Sequence, residues 1–178
     1  NNTFETLSFW FGTGRVFSFD WTQLTDWIYL SHSGQMKGQL GYGITLFAED
    51  EFYKNILFED NYSLEISFEK SLSKSIRFDI KPKFGTEIIR VDAPYQARNT
   101  GIALGIELKP SDEFKLNFRM DQSKSIKFEN DEVVYSDMIA RARFEYQATT
   151  FLNFRLVAQY HRYYDTFDIQ PLISYQPG

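Results

Sequence analysis

Hydrophobic and polar positions alternate with a period of two through much of the chain, most cleanly between Gly101 and Met120. Ile102, Leu104, Ile106 and Leu108 are separated by small or charged residues, and after Pro110-Ser111-Asp112 the alternation resumes at Phe114, Leu116, Phe118 and Met120. That period puts alternate side chains on opposite faces of an extended strand, so the segment predicts a β-hairpin with one apolar face. Setting Leu108 opposite Phe114 puts Ile106 against Leu116, Leu104 against Phe118 and Ile102 against Met120. The other face then sets Glu107 by Lys115, Gly105 by Asn117 and Ala103 by Arg119. Small residues beside long charged ones suit a polar face that is enclosed and short of room.

The pattern repeats. Tyr62, Leu64, Ile66 and Phe68 alternate with polar residues, as do Ile76, Phe78 and Ile80, and their simplest pairing places Glu65 opposite Arg77. A third copy runs from Met138 to Tyr146, turns through Ala148-Thr149-Thr150, and continues from Leu152 to Tyr160. Its simplest register opposes Arg143 and Arg155; a shift of two residues pairs Glu145 with Arg155 and is preferred, because like charges directly opposite repel. A fourth copy begins at Phe167. Each copy closes on an apolar anchor, Phe68, Leu108, Tyr146 or Tyr175, just before a turn. Short turns are therefore expected at one end and long connections, Gly85 to Thr100 and Asp121 to Val134, at the other, as in outer-membrane barrels built from strands of roughly ten residues.

Before Asn61 the pattern is less regular. Thr3 to Phe11 and Arg15 to Trp21 read as two strands joined at Gly12-Thr13-Gly14. Thr22 to Leu30 fits either a helix capped by Thr22 or a strand. Gln35 to Phe47 reads as a strand with glycines on part of one face, and Ala48 to Asp60 as a long acidic loop. At the other end, Tyr175-Gln176-Pro177-Gly178 reads as a strand entering a turn, so the chain is expected to be a piece of a longer one.

Composition narrows the classes. The 178 residues suffice for one domain, 1–178, and aromatics make up 18% of them. With no cysteine, disulfides and thiolate metal sites are excluded. A net charge of -5 and the lack of a basic cluster argue against nucleic acid as a partner. No apolar run approaches the roughly 20 residues of a membrane helix, which leaves strand-built membrane proteins open. Alternation alone does not say whether the apolar faces meet a soluble core or lipid. The turn asymmetry, the aromatics Phe114, Tyr146, Phe151, Tyr160, Tyr163, Tyr164 and Tyr175 near strand ends, and the charged residues set against Gly and Ala favour lipid.

Several stretches carry a family resemblance: Val134 to Asp137, Arg141 to Gln147, Phe151 to Tyr160 and Leu172 to Gly178. They resemble the last strands of a family of large, poorly characterised bacterial envelope proteins, which join an N-terminal carbohydrate-binding-like β-sandwich to a C-terminal outer-membrane-type β-barrel. The resemblance covers the chain from about Pro94 onward. It implies a barrel in the bacterial outer membrane and supplies no catalytic residues.

The expectation is thus an all-β chain, an antiparallel up-and-down β-barrel of outer-membrane type with about 8–10 strands, whole or part of a larger barrel. Its lumen would be lined by Glu65, Arg77, Glu107, Lys115, Arg119, Arg141, Arg143, Glu145 and Arg155. These residues would either hold a narrow barrel in shape through ion pairs or pass polar solutes or polypeptide. Partners would be membrane lipid and other envelope proteins; no cofactor, metal or enzymatic activity is expected. The alternative is a soluble β-barrel or sandwich binding an apolar ligand or carbohydrate. Lesser readings are a hydrolase triad of His161, Asp165 and Ser174, and a calcium loop at Glu49, Asp50, Glu51, Glu59 and Asp60.

Overall fold

A computed structural model describes residues 3–176. They form ten strands: β1 (Phe4–Phe17), β2 (Gln23–Met36), β3 (Leu40–Tyr53), β4 (Ile56–Ser73), β5 (Ile76–Ile89), β6 (Tyr95–Leu108), β7 (Phe114–Lys127), β8 (Val133–Gln147), β9 (Leu152–His161) and β10 (Thr166–Tyr175). Each pairs antiparallel with its neighbour in sequence, giving one up-and-down sheet in the order β1 to β10. The sheet is not closed: β1 and β10 are its two edges. The turn read at the C-terminus lies in part outside the described residues.

Register fixes the two faces. Along one row Ile80, Leu104, Met120, Ala140 and Tyr160 follow each other across five strands, and along the next Phe78, Ile106, Phe118, Ala142 and Ala158 do the same. The apolar rows occupy about nine residues of each strand, from Ile76 to Phe84 on β5 and from Leu152 to Tyr160 on β9. The opposite face carries the charged and small residues.

The sheet curls around that polar face. Residues of β4, β5, β6, β7 and β8 line a single cavity on it. Ala97, Asn99, Ser125, Asp137 and Val157 are buried, and their register places all five on the polar side. On the convex side Phe68, Phe84, Ile106, Phe118, Phe144 and Leu156 each remain 37–46% exposed. The described residues have no dry centre: Phe58, Ala97 and Val157 are the buried hydrophobic residues.

Several expectations are corrected. The sheet register of β6 and β7 is shifted by two residues, pairing Leu108 with Leu116 and Leu104 with Met120, because the turn from Lys109 to Glu113 is longer than a minimal one. A slip of two preserves both faces. Glu65 lies opposite Lys83 and not Arg77, while Glu145 does lie opposite Arg155. The first strands expected around Gly12-Thr13-Gly14 are one continuous strand, β1, and the ambiguous stretch from Thr22 belongs to β2. The acidic segment from Ala48 is no loop: it is the tip of the β3–β4 hairpin, turned by Lys54 and Asn55 at φ 50° and 64°. Two successive left-handed residues make the turn whose twist matches the flanking strands, and Asn tolerates that region.

The long connections expected at one end are also strand. β5 runs on to Ile89 and β6 begins at Tyr95; β7 runs on to Lys127 and β8 begins at Val133. The asymmetry survives in another form. At the short-turn end the apolar rows stop at the turns, whereas at the other end β3 through β8 continue about five residues, roughly 15 Å, past them. This projecting crown is held by ion pairs, Arg90 with Glu51 at 2.8 Å, Arg98 with Asp131 at 2.5 Å and Lys127 with Glu132 at 2.7 Å.

Where crown and apolar rows meet, Gly85 brings β5 against the backbone of β4. A Cβ there would overlap the Tyr62 carbonyl oxygen, and backbone cannot move aside as a flexible side chain does. Gly85→Val should therefore destabilise the fold by about 3 kcal/mol. Gly41→Ala, which meets only the end of the Gln35 side chain at 3.2 Å, should cost under about 1 kcal/mol. Denaturant unfolding followed by tryptophan fluorescence checks both.

Candidate functional site

The site is built from the polar face, and its charges come in rows set by register. Toward the short turns, Arg77 stands opposite Glu107, Glu107 opposite Asn117 and Asn117 opposite Arg143. Arg77 pairs with Glu69, Lys115 with Glu107 at 2.9 Å, and the Arg143 Nε donates to Glu145 at 3.0 Å. In the next row Arg119 lies between Gly105 and Arg141 and donates to Asp121 at 3.2 Å. Glu145 sits between Lys115 and Arg155, so an acid separates two bases. All nine of the sequence-predicted residues thus share the concave face.

Only Glu65 and Arg119 of the nine reach the main cavity, a volume of about 500 Å³ further toward the crown. Its other charged residues are Lys81, Lys83, Glu87, Asp121 and Asp137, with Gly101 and Ala103 of β6 between the two walls. Sequence reasoning missed these because Pro82 interrupts the alternation in β5 and because the stretch beyond Phe84 was expected to be a loop. Above the cavity the polar side chains are linked: Asn99 donates to Ser125 at 3.1 Å, Ser125 donates to Glu87, and Gln96 donates to Asn61 at 3.0 Å. Among the described residues no buried side-chain nitrogen or oxygen lacks a partner.

The concave face changes character toward β1. Trp27, Tyr29 and Phe47 replace the charges there, with the Trp27 and Phe47 rings stacked at 6.4 Å. Gly14 makes room for the indole, since a Cβ would lie 2.6 Å from it. Gly12, Trp27, Tyr29 and Phe47 line an apolar recess of about 310 Å³.

The proposed triad does not assemble. Ser174 pairs with Asn153 near the short-turn end of β9 and β10, whereas His161 closes the opposite end. His161 Nε2 instead contacts Asp137 at 2.6 Å. The same carboxylate accepts from the Tyr135 hydroxyl at 3.2 Å and from the Tyr163 amide at 3.0 Å, which ties down the β9–β10 turn. His32 lies on the apolar face, with its Nε2 2.9 Å from the Tyr42 hydroxyl. Among the described residues no group of three or more His, Asp or Glu side chains converges as a metal site.

Comparisons with protein-family models, curated proteins and solved structures return no match. The reading of function therefore rests on the chain itself.

The ladder can be measured. Glu107 and Lys115 are each about two-fifths exposed, so solvent screens them, and a double-mutant cycle with Ala should return a coupling of about 0.5 kcal/mol that shrinks with salt. A coupling of zero at low salt would remove this pair from the ladder.

Proposed function

We propose that this chain forms the wall of an outer-membrane β-barrel, apolar face outward to lipid and charged face inward, serving to anchor a larger envelope protein or to pass polar solutes or polypeptide. The observation that carries the reading is the direction of curvature. The charged face is the inside of the curve and the apolar face the outside, the reverse of what a soluble barrel or sandwich needs to bury its core. A contiguous apolar face of this extent is beyond what a monomer leaves in water. The apolar rows of about nine residues match the strand length that crosses a bilayer when tilted. Crown and short turns on opposite ends agree with the two sides of such a barrel. The resemblance of the second half to envelope-protein barrels points the same way.

Closure follows from strand count. With ten strands, β1 and β10 run antiparallel to one another, so they can complete the cylinder directly or through further strands in even number. The native chain has no cysteine, so Phe9→Cys can be combined with Ile169→Cys or Ile173→Cys and oxidised in lipid vesicles. Direct closure predicts an intramolecular disulfide; cross-links only between molecules would overturn it.

The lipid-facing assignment has its own test. Leu104→Arg places a charge in the middle of the convex face and should cost about 2–4 kcal/mol in vesicle-inserted protein, while Arg119→Ser on the concave face should cost under about 1 kcal/mol. A harmless Leu104→Arg would mean that this face does not meet lipid.

A further inference from the structure

The main cavity holds two lysines of one strand, Lys81 and Lys83, beside a floor of small residues, Gly101 and Ala103. Toward the short turns Arg77 is matched by Glu69 and Lys115 by Glu107, while Arg141 and Arg155 make no ion pair among the described residues. At the cavity, Lys81 and Lys83 make no ion pair among the described residues, although Glu65 stands directly opposite Lys83 on β4. The strand on their other side explains why they find nothing across the curve. Register places Ala103 opposite Lys81 and Gly101 opposite Lys83, and only beyond them come Asp121 and Ser123 on β7, with Asp137 next on β8. Lys81 and Asp121 are therefore two strand spacings apart, about 9.6 Å at their Cα atoms, over a floor with almost no side chain.

We infer that this slot binds a small zwitterion, with its carboxylate held between Lys81 and Lys83 and its ammonium toward Ser123 and the Oδ1 of Asp121, whose Oδ2 already accepts from Arg119 at 3.2 Å. The lining argues for both signs at once. It carries three cations, Lys81, Lys83 and Arg119, against four acids, Glu65, Glu87, Asp121 and Asp137, so an ion of either single sign meets as much repulsion as attraction. A solute with opposite charges a few bonds apart satisfies each wall with the end that faces it. The missing side chains at Gly101 and Ala103 supply the room, and Asn99 and Tyr135 border the cavity as further polar groups. Free amino acids and short peptides are the matching chemical class. This assignment rests on the concave face being the enclosed one, and it deepens the solute-passage reading without requiring lipid.

The full chain refolded in detergent micelles can be titrated with glycylglycine, with succinate and putrescine as solutes of a single sign. Saturable binding of glycylglycine is expected, at least tenfold tighter than of either control. Lys81→Met with Lys83→Met should weaken it at least tenfold and Asp121→Asn at least threefold, with Lys74→Met in the turn between β4 and β5 leaving it unchanged. In the unaltered protein glycylglycine should also slow acetylation of Lys81 and Lys83 by acetic anhydride relative to Lys115, read by mass spectrometry, which keeps the test independent of variants that do not fold. No saturable binding, succinate or putrescine binding as tightly, or equal acetylation of all three lysines would each overturn the slot. A chain that inserts into vesicles yet fails these measurements defeats only this inference, and one that passes them but does not insert defeats only the membrane reading.

Discussion

Everything in this sheet depends on sidedness combined with curvature. Alternation gives each strand an apolar and a polar face, and antiparallel pairing carries each face unbroken across the neighbours because opposite residues share a side. Curvature then decides which face is interior. Here small residues on the concave side, Gly101, Ala103 and Gly105 on β6 and Gly41 and Gly43 on β3, let long side chains of adjacent strands lean into the curve. At Gly105 the space a Cβ would need is taken by the Asp79 carboxylate. The same strands put Leu, Ile and Phe on the convex side, where bulk is no obstacle to bending. Crowding is relieved on one side and tolerated on the other, and the sheet bends accordingly.

This explains what could be read from the sequence and what could not. The hairpins between Tyr62 and Tyr160 were legible because one face is apolar throughout, so period two is visible residue by residue. The register of Glu145 against Arg155 was legible as well, since the alternative put two arginines together. The crown was not. Past Phe84 and Met120 glycine and polar residues take both faces, Gly85 to Glu87 on β5 and Asp121 to Ser125 on β7, before Ile88, Ile89 and Ile126, so the period vanishes and strand looks like loop. Around Gly12 and Gly14 the misleading signal was glycine itself: two glycines so close read as a turn, yet they are the space that Trp27 requires from the neighbouring strand. Partner size across the ladder is not written in the segment that accommodates it.

The two strand prolines show how ladder parity reaches beyond what side-chain patterns tell. Lys109 donates its amide to Ser75, so in the β5–β6 ladder odd positions of β5 exchange hydrogen bonds and Pro82 turns its bare nitrogen toward β4. The ladder between β4 and β5 is interrupted at that place, between Glu65 opposite Lys83 and Phe68 opposite Ile80. A proline inside a sheet removes a donor and leaves a local gap. It also leaves the strand free to bend there, and Gly85 follows three residues later.

The same parity applied to β10 gives a different consequence. The Gln176 amide donates to Phe151, so even positions of β10 bond to β9 and Pro171 presents its bare nitrogen to the open side of the strand. Pro is favoured at edges for this reason, because a missing donor discourages uncontrolled strand addition. In the proposed barrel the strand that lies against β10 would then meet one absent hydrogen bond midway through the apolar rows, as β4 does at Pro82. The seam next to β10 would then lack one backbone bond that the proline-free ladders have, while Phe167, Ile169 and Ile173 supply it with apolar contact on the convex face. A weaker ladder of this kind is compatible with a neighbour that arrives after the rest of the sheet has formed.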